Sequence, residues 1–509
     1  MAIDPGLRRL ALRTLLPAFR GHTVPPWVTD LISNGVGGYL VFGYNIVDQE
    51  QLTALTGQLR AAAPDIILAI DEEGGDVTRL AHIAGSPYPG NAALGVVDDV
   101  QLTERIYRAI GLDLLATGCN LNLAPTIDVN TTDDNPVIGT RSFGAEPAKV
   151  AAHSAAAVTG LQSVGVAACA KHFPGHGATS TDSHRELPTI DVPMELLRER
   201  DLAPFDAAIK AGTQAVMTAH IRVPVLTGDL PATLSPAALV DLLRSQLGFA
   251  GVVVTDALEM KGVAEPAGGT AKAAARALAA GSDLLCLGSR VDAELVEQSV
   301  AEIVFAIDAG WLPLSRVEEA AERVASLASW AAATRTAATR AGATRTGVTR
   351  TAVTPTAGQV EDGIGYLAAQ RAVKVEGSLS GLGVPLIVQV LESEAEVNVA
   401  VGPGVPWGLG PHLNGIEQVQ VASGSAAPAA LRAVAGSRPI VVVGRNLHRL
   451  PGAAGLIEEL ASSHPVVAVE MGWPSTWRPS GVRAFVTTYG ASRANGWAVA
   501  STLGLLAHT

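Results

Sequence analysis

Cysteine is nearly missing from this chain, with three in 509 residues. Cys119, Cys169 and Cys286 each lie in or beside an apolar run, so they read as small buried hydrophobes. A disulfide framework or a cysteine metal site is excluded. Positive charge is also short. Lys and Arg number 36 against 48 Asp and Glu, a net charge of −12, whereas general nucleic-acid binding calls for a basic surface. No run is long and apolar enough to span a bilayer, which leaves no membrane partner. The opening residues, M-A-I-D-P-G-L-R-R-L-A-L-R, show neither an uninterrupted apolar stretch nor a cleavage site. A cytoplasmic protein is therefore expected.

What is present is a globular composition, 48% hydrophobic and 17% charged, in a chain longer than one ordinary domain. Short apolar runs recur, and each stops at a polar residue. Gly37 to Gly43 ends at Tyr44 and Asn45, and suits a first strand. Asp65 to Ile70 ends in Asp71, Asn122 to Ile127 in Asp128, and Ala215 to Ala219 in His220. Gly251 to Thr255 ends in Asp256, and Asp283 to Gly288 completes the series. Helical text such as Val192 to Ala211 and Ala271 to Ala280 lies between them. Nearly continuous apolar strands alternating with helices indicate a parallel sheet. Seven or eight such units in about 330 residues indicate a (β/α)8 TIM-like barrel, with a doubly wound sheet as the alternative. Ser315 to Glu318 has the form of a capping box, and Val317, Ala321, Val324 and Ala328 then share one helical face.

From Thr334 to Arg350 a Thr-Arg pair repeats every five residues without large apolar anchors, and Pro355 follows. That stretch reads as a solvated linker. Beyond Glu361, Val384 to Val390, Pro439 to Gly444, Pro465 to Val469 and Arg483 to Thr487 are strand-like. The expected division is a catalytic barrel at 1–333, a linker at 334–360, and a smaller α/β sandwich-type domain at 361–509 with a structural role. Gly402-Pro-Gly and Gly408-Leu-Gly are loops, since no strand–GxGxxG–helix order surrounds them.

The richest stretch is A-K-H-F-P-G-H-G-A-T-S-T-D-S-H-R-E-L-P-T-I-D, from Ala170 to Asp191. The apolar run from Val164 ends in Lys171 and His172 and opens into a Gly/Ser/Thr loop, as chemistry is presented at the C-terminal face of a barrel. Asp182 lies two residues before His184. At that spacing a carboxylate can accept the ring's Nδ1–H, fix its tautomer and raise its basicity. A lone loop histidine is more often a surface or capping residue, and it is the whole block that argues otherwise.

Lys171-His172-Phe173-Pro174-Gly175-His176-Gly177 followed by Asp182-Ser183-His184 resembles the signature of bacterial β-N-acetylhexosaminidases of glycoside hydrolase family 3, in their two-domain form. The resemblance implies that His184 is the general acid/base with Asp182 as its partner. Asp256, in V-V-V-T-D-A-L-E-M, lies where the family's nucleophilic Asp lies, with Thr255 in a Ser position. A helix N-cap is the plain alternative for such an Asp. Asp71 and Arg79 in D-E-E-G-G-D-V-T-R-L, Arg141 in G-T-R-S-F-G, Lys171 and His172 are implied to contact the sugar. Asp76 departs from the Arg common in relatives, at an expected surface position. Asp128 and His220 also end strands and could line a pocket or support it, and His176 reads as loop-shaping.

The implied activity is a retaining exo-β-N-acetylglucosaminidase acting on peptidoglycan fragments or chito-oligosaccharides, a small GlcNAc-containing substrate. A neutral imidazole acid/base also tolerates an incoming anion, so a phosphorylase using the same residues is the alternative. A non-catalytic sugar-binding barrel is the third reading, against which every catalytic position holds a competent residue. A plain β-glucosidase is disfavoured by the D-S-H loop. No cofactor and no metal are implied, because the nearby histidines already have roles and no second ligand cluster appears.

Overall fold

The computed structural model describes residues 3–340, 363–393, 398–402, 404–413, 415–425 and 427–506. The chain forms two compact units. One comprises Met1–Glu72, Thr103–Val129 and Ala145–Arg350, the other Glu73–Leu102, Asn130–Gly144 and Thr351–Thr509.

The strands of the first unit are β1 (Leu15–Leu16), β2 (Gly38–Val41), β3 (Ile67–Ile70), β4 (Leu121–Asn122), β5 (Ala167–Phe173), β6 (Ala215–Thr218), β7 (Val252–Thr255) and β8 (Leu285–Cys286). Strands β2 to β7 lie in sequence order in one parallel sheet, and β1 pairs in parallel with β8. Main-chain bonds continue past both edges, from Leu40 N to Pro17 O (2.9 Å) and from Thr255 N to Leu284 O (3.0 Å). The sheet curls because alternate residues of successive strands share one core: Ile67 and Ala69, Ala167 and Cys169, Ala215 and Met217, Val252 and Val254. Val324, Leu327 and Ala328 of the helix Leu314–Arg340 join that core. With Val317 and Ala321 also buried, the apolar face expected of this helix is the face it packs.

Three details differ from the sequence reading. The first strand is not at Gly37 but at Leu15–Leu16, two residues too few to show a period. The run from Asn122 to Ile127 is mostly not strand. Asn120 Oδ1 accepts from Leu68 N (2.7 Å) and Asn122 Oδ1 from Glu72 N (3.0 Å), so side chains take over the ladder around β4. The C-terminal helix runs on to Arg340, so 334–340 are helical rather than linker. Ala-rich composition sustains helix without large anchors. The remainder of the expected linker, from 341, lies outside the described residues.

The second unit holds β9 (Lys374–Gly377), β10 (Leu386–Leu391), β11 (Gln418–Ala422), β12 (Ile440–Gly444), β13 (Val466–Glu470) and β14 (Ala484–Thr487). Their order is β11-β10-β12-β13-β14-β9, with only β9 antiparallel. One face of the sheet, with Ile387, Val441, Val443 and Val467, packs with Val499 and Ala500 of the helix Arg493–Thr502. The other, with Val388, Val442 and Ala468, packs on Leu456 and Ile457 of the helix Ala453–Ala461. Burial on both faces explains the unbroken Val/Ile runs.

Residues 73–102 and 130–144, which the linear division gives to the barrel, belong to this unit. Glycine makes that packing possible. A Cβ on Gly365 would lie 2.0 Å from Pro87 O, and one on Gly95 1.7 Å from Phe143 O. Cys119, Cys169 and Cys286 are free and buried. Among the described residues no helix is long and apolar enough to cross a membrane.

Asn122 is fully buried and also donates through Nδ2 to Glu72 O (2.8 Å). Asn122→Ala removes both bonds to the Glu72 main chain and is expected to cost about 1–3 kcal/mol in urea unfolding. An unchanged midpoint and slope would show that the ladder does not use this side chain.

Candidate active site

In the first unit, polar side chains gather where the parallel strands end. Strand β5 continues past the apolar run to Phe173, so Lys171 and His172 belong to the strand itself. The Lys171–His172 and Phe173–Pro174 peptides are cis. Lys171 Nζ donates to Asp71 Oδ1 at 2.8 Å, which joins the ends of β5 and β3. His172 Nδ1 donates to Asp128 Oδ2 at 2.7 Å, while Asp128 Oδ1 accepts from the main-chain N–H of His172 (3.2 Å) and of His176 (2.6 Å). Asp128 has no exposed surface. Burial alone would raise its pKa, but the two imidazoles and these N–H groups outweigh it and hold the carboxyl below the ordinary carboxylate range.

The following loop is braced by His176. Its Nδ1 lies 2.8 Å from Thr179 Oγ1 and its Nε2 3.0 Å from Ser183 Oγ. Burial pushes this imidazole down to about 4, so it is neutral at working pH. Asp182 Oδ1 accepts from both the main-chain N–H (2.8 Å) and Nδ1–H (2.7 Å) of His184. Burial would raise Asp182, but these bonds and the His184 charge leave it lowered. The ring is thereby oriented, and among the described residues its Nε2 has no partner. Gly262 carries this loop on the other side: its N–H donates to Ser183 O (3.2 Å), and a Cβ there would lie 3.0 Å from both Ser183 O and Glu186 O.

Asp256 follows β7. Its Oδ1 accepts from Ala257 N at 2.8 Å, a local bond and not a helix cap, since the next helix begins only at Lys261. Burial opposes its ionisation, but His220, His172 and His184 more than compensate and hold it at about 2. The carboxylate is therefore anionic throughout the working range and within electrostatic reach of His184. His220 is fully buried. Its Nε2 donates to Ala257 O (3.0 Å), and its Nδ1 is 2.7 Å from Thr233 Oγ1. It fixes the peptide beside Asp256. Glu259 points away, accepting from Ser289 N (2.7 Å), Ser289 Oγ (2.8 Å) and Arg290 N (3.2 Å).

Asp71, Lys171, His172, Asp182, His184 and Asp256 thus all belong to the first unit, whereas Arg79 and Arg141 belong to the second. There Arg141 is buried against Glu73, Nε to Oε2 at 2.9 Å and Nη2 to Oε1 at 2.7 Å. Arg79 donates to Ala400 O (2.9 Å) and Val401 O (3.2 Å). Asp76 is not the surface residue expected. It is partly buried, accepting from Thr140 Oγ1 (3.0 Å) and Ala491 N (2.8 Å). Sequence reasoning missed Glu73, Thr233 and Gly262. Glu73 was in view within D-E-E-G-G, where a bidentate Arg partner gave it meaning, but the other two carry no local signal.

Asp128→Asn removes a buried anion facing three N–H donors and is expected to cost about 3 kcal/mol in denaturant unfolding at neutral pH. Because the folded pKa is depressed, the carboxylate's contribution is present above the unfolded value near 4 and is lost as pH falls through the folded value. The gap between wild type and variant should therefore narrow in acid. A gap that is absent at neutral pH, or that widens in acid, contradicts this.

Comparison with known proteins gives the family of the chain. The family model "Glycosyl hydrolase family 3 N terminal domain" matches residues 22–327. β-Hexosaminidase A of Pseudoalteromonas piscicida is 35% identical over 335 residues, covering 60% of this chain and 55% of that protein, so this chain spans little more than half of that relative. A β-hexosaminidase of Stenotrophomonas maltophilia is 38% identical over 270 residues, 52% of this chain and 79% of that protein. A glycoside hydrolase family 3 β-N-acetylglucosaminidase from Paenibacillus sp. str. FPU-7 matches with a TM-score of 0.85 and 30% identity, over 99% of this chain and 98% of that one. With its family model covering more than half of the sequence, the chain belongs to glycosyl hydrolase family 3, a family of glycoside-cleaving enzymes.

Proposed function

We propose that the protein is a retaining exo-β-N-acetylglucosaminidase that removes terminal β-linked GlcNAc from peptidoglycan fragments or chito-oligosaccharides, with the cytoplasm as its compartment and a complete (β/α)8 barrel as its catalytic scaffold. The observation that carries the reading is an imidazole aimed by a carboxylate, His184 on Asp182, within the field of a second carboxylate held ionised, Asp256. A retaining glycosidase needs that division of labour: one group to attack the anomeric carbon, another to move a proton.

In the first step Asp256 attacks the anomeric carbon and forms a glycosyl-enzyme bond, while His184 Nε2 gives its proton to the leaving oxygen. Asp182 keeps Nδ1 protonated and stabilises the imidazolium before that transfer. In the second step the neutral His184 takes a proton from water as it attacks, and Asp256 leaves as carboxylate. Asp71, Lys171 and His172 bind sugar hydroxyls in this account. Their cross-links, Lys171 to Asp71 and His172 to Asp128, are the preorganisation that hydroxyl selection requires. The sugar-contact roles of Arg79 and Arg141 rest on the resemblance to the family.

The test is release of nitrophenol from nitrophenyl β-N-acetylglucosaminide, with and without phosphate, by wild type, Asp256→Ala and His184→Ala. Wild type should yield free GlcNAc at a rate phosphate does not alter. Each variant should lose about 10²–10⁴-fold in kcat. Near-normal turnover by either variant refutes its role, and phosphate-dependent GlcNAc 1-phosphate would make the enzyme a phosphorylase.

A further inference from the structure

The region beyond residue 361, for which the sequence suggests only a structural role, supplies a loop that holds Arg79. The two outer nitrogens of that guanidinium lie on consecutive carbonyls of the loop. Nη2 donates to Ala400 O at 2.9 Å and Nη1 to Val401 O at 3.2 Å, across more than 300 positions of sequence. The main-chain carbonyl of Arg79 lies 2.9 Å from His82 Nδ1, so the residue is fixed at both ends.

The loop is shaped by Asn398. Its Oδ1 accepts from Ala400 N (2.9 Å) and its carbonyl from Val401 N (3.1 Å), a turn of the kind asparagine favours. Val401 is buried, and Gly402 follows at φ 84°, a left-handed conformation that glycine takes without strain. A Cβ at Gly402 would stand 3.8 Å from Arg79 Nη1, so the chain runs alongside the guanidinium. Asn398 Nδ2 in turn donates to Val137 O at 2.9 Å. The same carbonyl accepts from Arg141 Nη1 at 3.1 Å, so one loop meets both arginines implied to contact sugar.

Main-chain carbonyls orient a guanidinium without bringing a full negative charge to it, unlike the Glu73 carboxylate on Arg141. Arginine has more rotamer freedom to lose than most side chains, and fixing it before the ligand arrives spares binding that loss. We propose that Asn398 is a positioning residue for sugar binding, which through the 398–402 loop holds Arg79 in its binding orientation. That Arg79 contacts sugar rests on the family resemblance, and turnover of that sugar rests on the proposed glycosidase reading. A binding group held equally for substrate and transition state acts on KM and not on kcat.

The test is steady-state hydrolysis of nitrophenyl β-N-acetylglucosaminide by the full chain. Wild type is compared with Asn398→Ala, the milder Asn398→Asp, Arg79→Ala and the Asn398→Ala/Arg79→Ala double variant, each checked for wild-type melting. Asn398→Ala should raise KM about 5–10-fold with kcat within about 2-fold. Asn398→Asp keeps an acceptor for Ala400 N but loses the donor to Val137 O, and should raise KM in the same direction. If Asn398→Ala melts early, Asn398→Asp carries the comparison. On the Arg79→Ala background Asn398→Ala should add less than about 2-fold, because its effect passes through that guanidinium. Unchanged KM in a folded Asn398 variant or in Arg79→Ala overturns the role, and so do fully multiplicative effects in the double variant. A wild type that releases no nitrophenol instead sinks the glycosidase reading, and this role with it.

Discussion

One buried carboxylate, Asp128, holds the polar end of the curled sheet in order. It sits at the close of the β4 segment and accepts from the His172 ring and from the main-chain N–H groups of His172 and His176. A charge with no exposed surface persists only if it is fully hydrogen-bonded, so the Lys171-to-His176 turn must adopt the one arrangement that supplies those donors. His176 then reaches Thr179 and Ser183, and the Asp182–His184 pair follows on the same loop. The imidazole proposed to move the proton is thus tied, bond by bond, to a core residue more than 50 positions earlier.

Electrostatics give the site its second property. Asp256 is surrounded by His220, His172 and His184, and their combined effect exceeds the cost of burial. That ionised state is what the proposed role of Asp256 as nucleophile requires. His220 also holds the Ala257 carbonyl next to Asp256 through its Nε2.

Much of this was legible in the sequence wherever a continuous apolar run stopped at a polar residue, as at Ile70 and Asp71, Ala219 and His220, or Thr255 and Asp256. Buried parallel strands leave that mark because both faces are covered. Legibility failed where side chains replace the ladder, as Asn120 and Asn122 do around β4, and where a strand has only two residues, as at Leu15–Leu16. It failed again for contacts made at long range. Asp76 looked like a surface residue because its main-chain partner, Ala491, lies 415 positions away. Gly262 looked ordinary because the carbonyls that crowd the place of a Cβ belong to Ser183 and Glu186. The membership of 73–102 and 130–144 in the second unit was likewise invisible, since close backbone approaches such as Gly95 on Phe143 leave no periodic trace.

The central claim is that Asp256 carries the sugar between two steps that His184 serves. It is tested most directly by mass spectrometry of the His184→Ala protein, quenched during turnover of an activated β-N-acetylglucosaminide whose departure needs no acid. The account predicts one N-acetylhexosamine covalently attached to the peptide that contains Asp256, accumulating because water is no longer activated. An adduct on another residue, or none while product of inverted anomeric configuration appears, would contradict it.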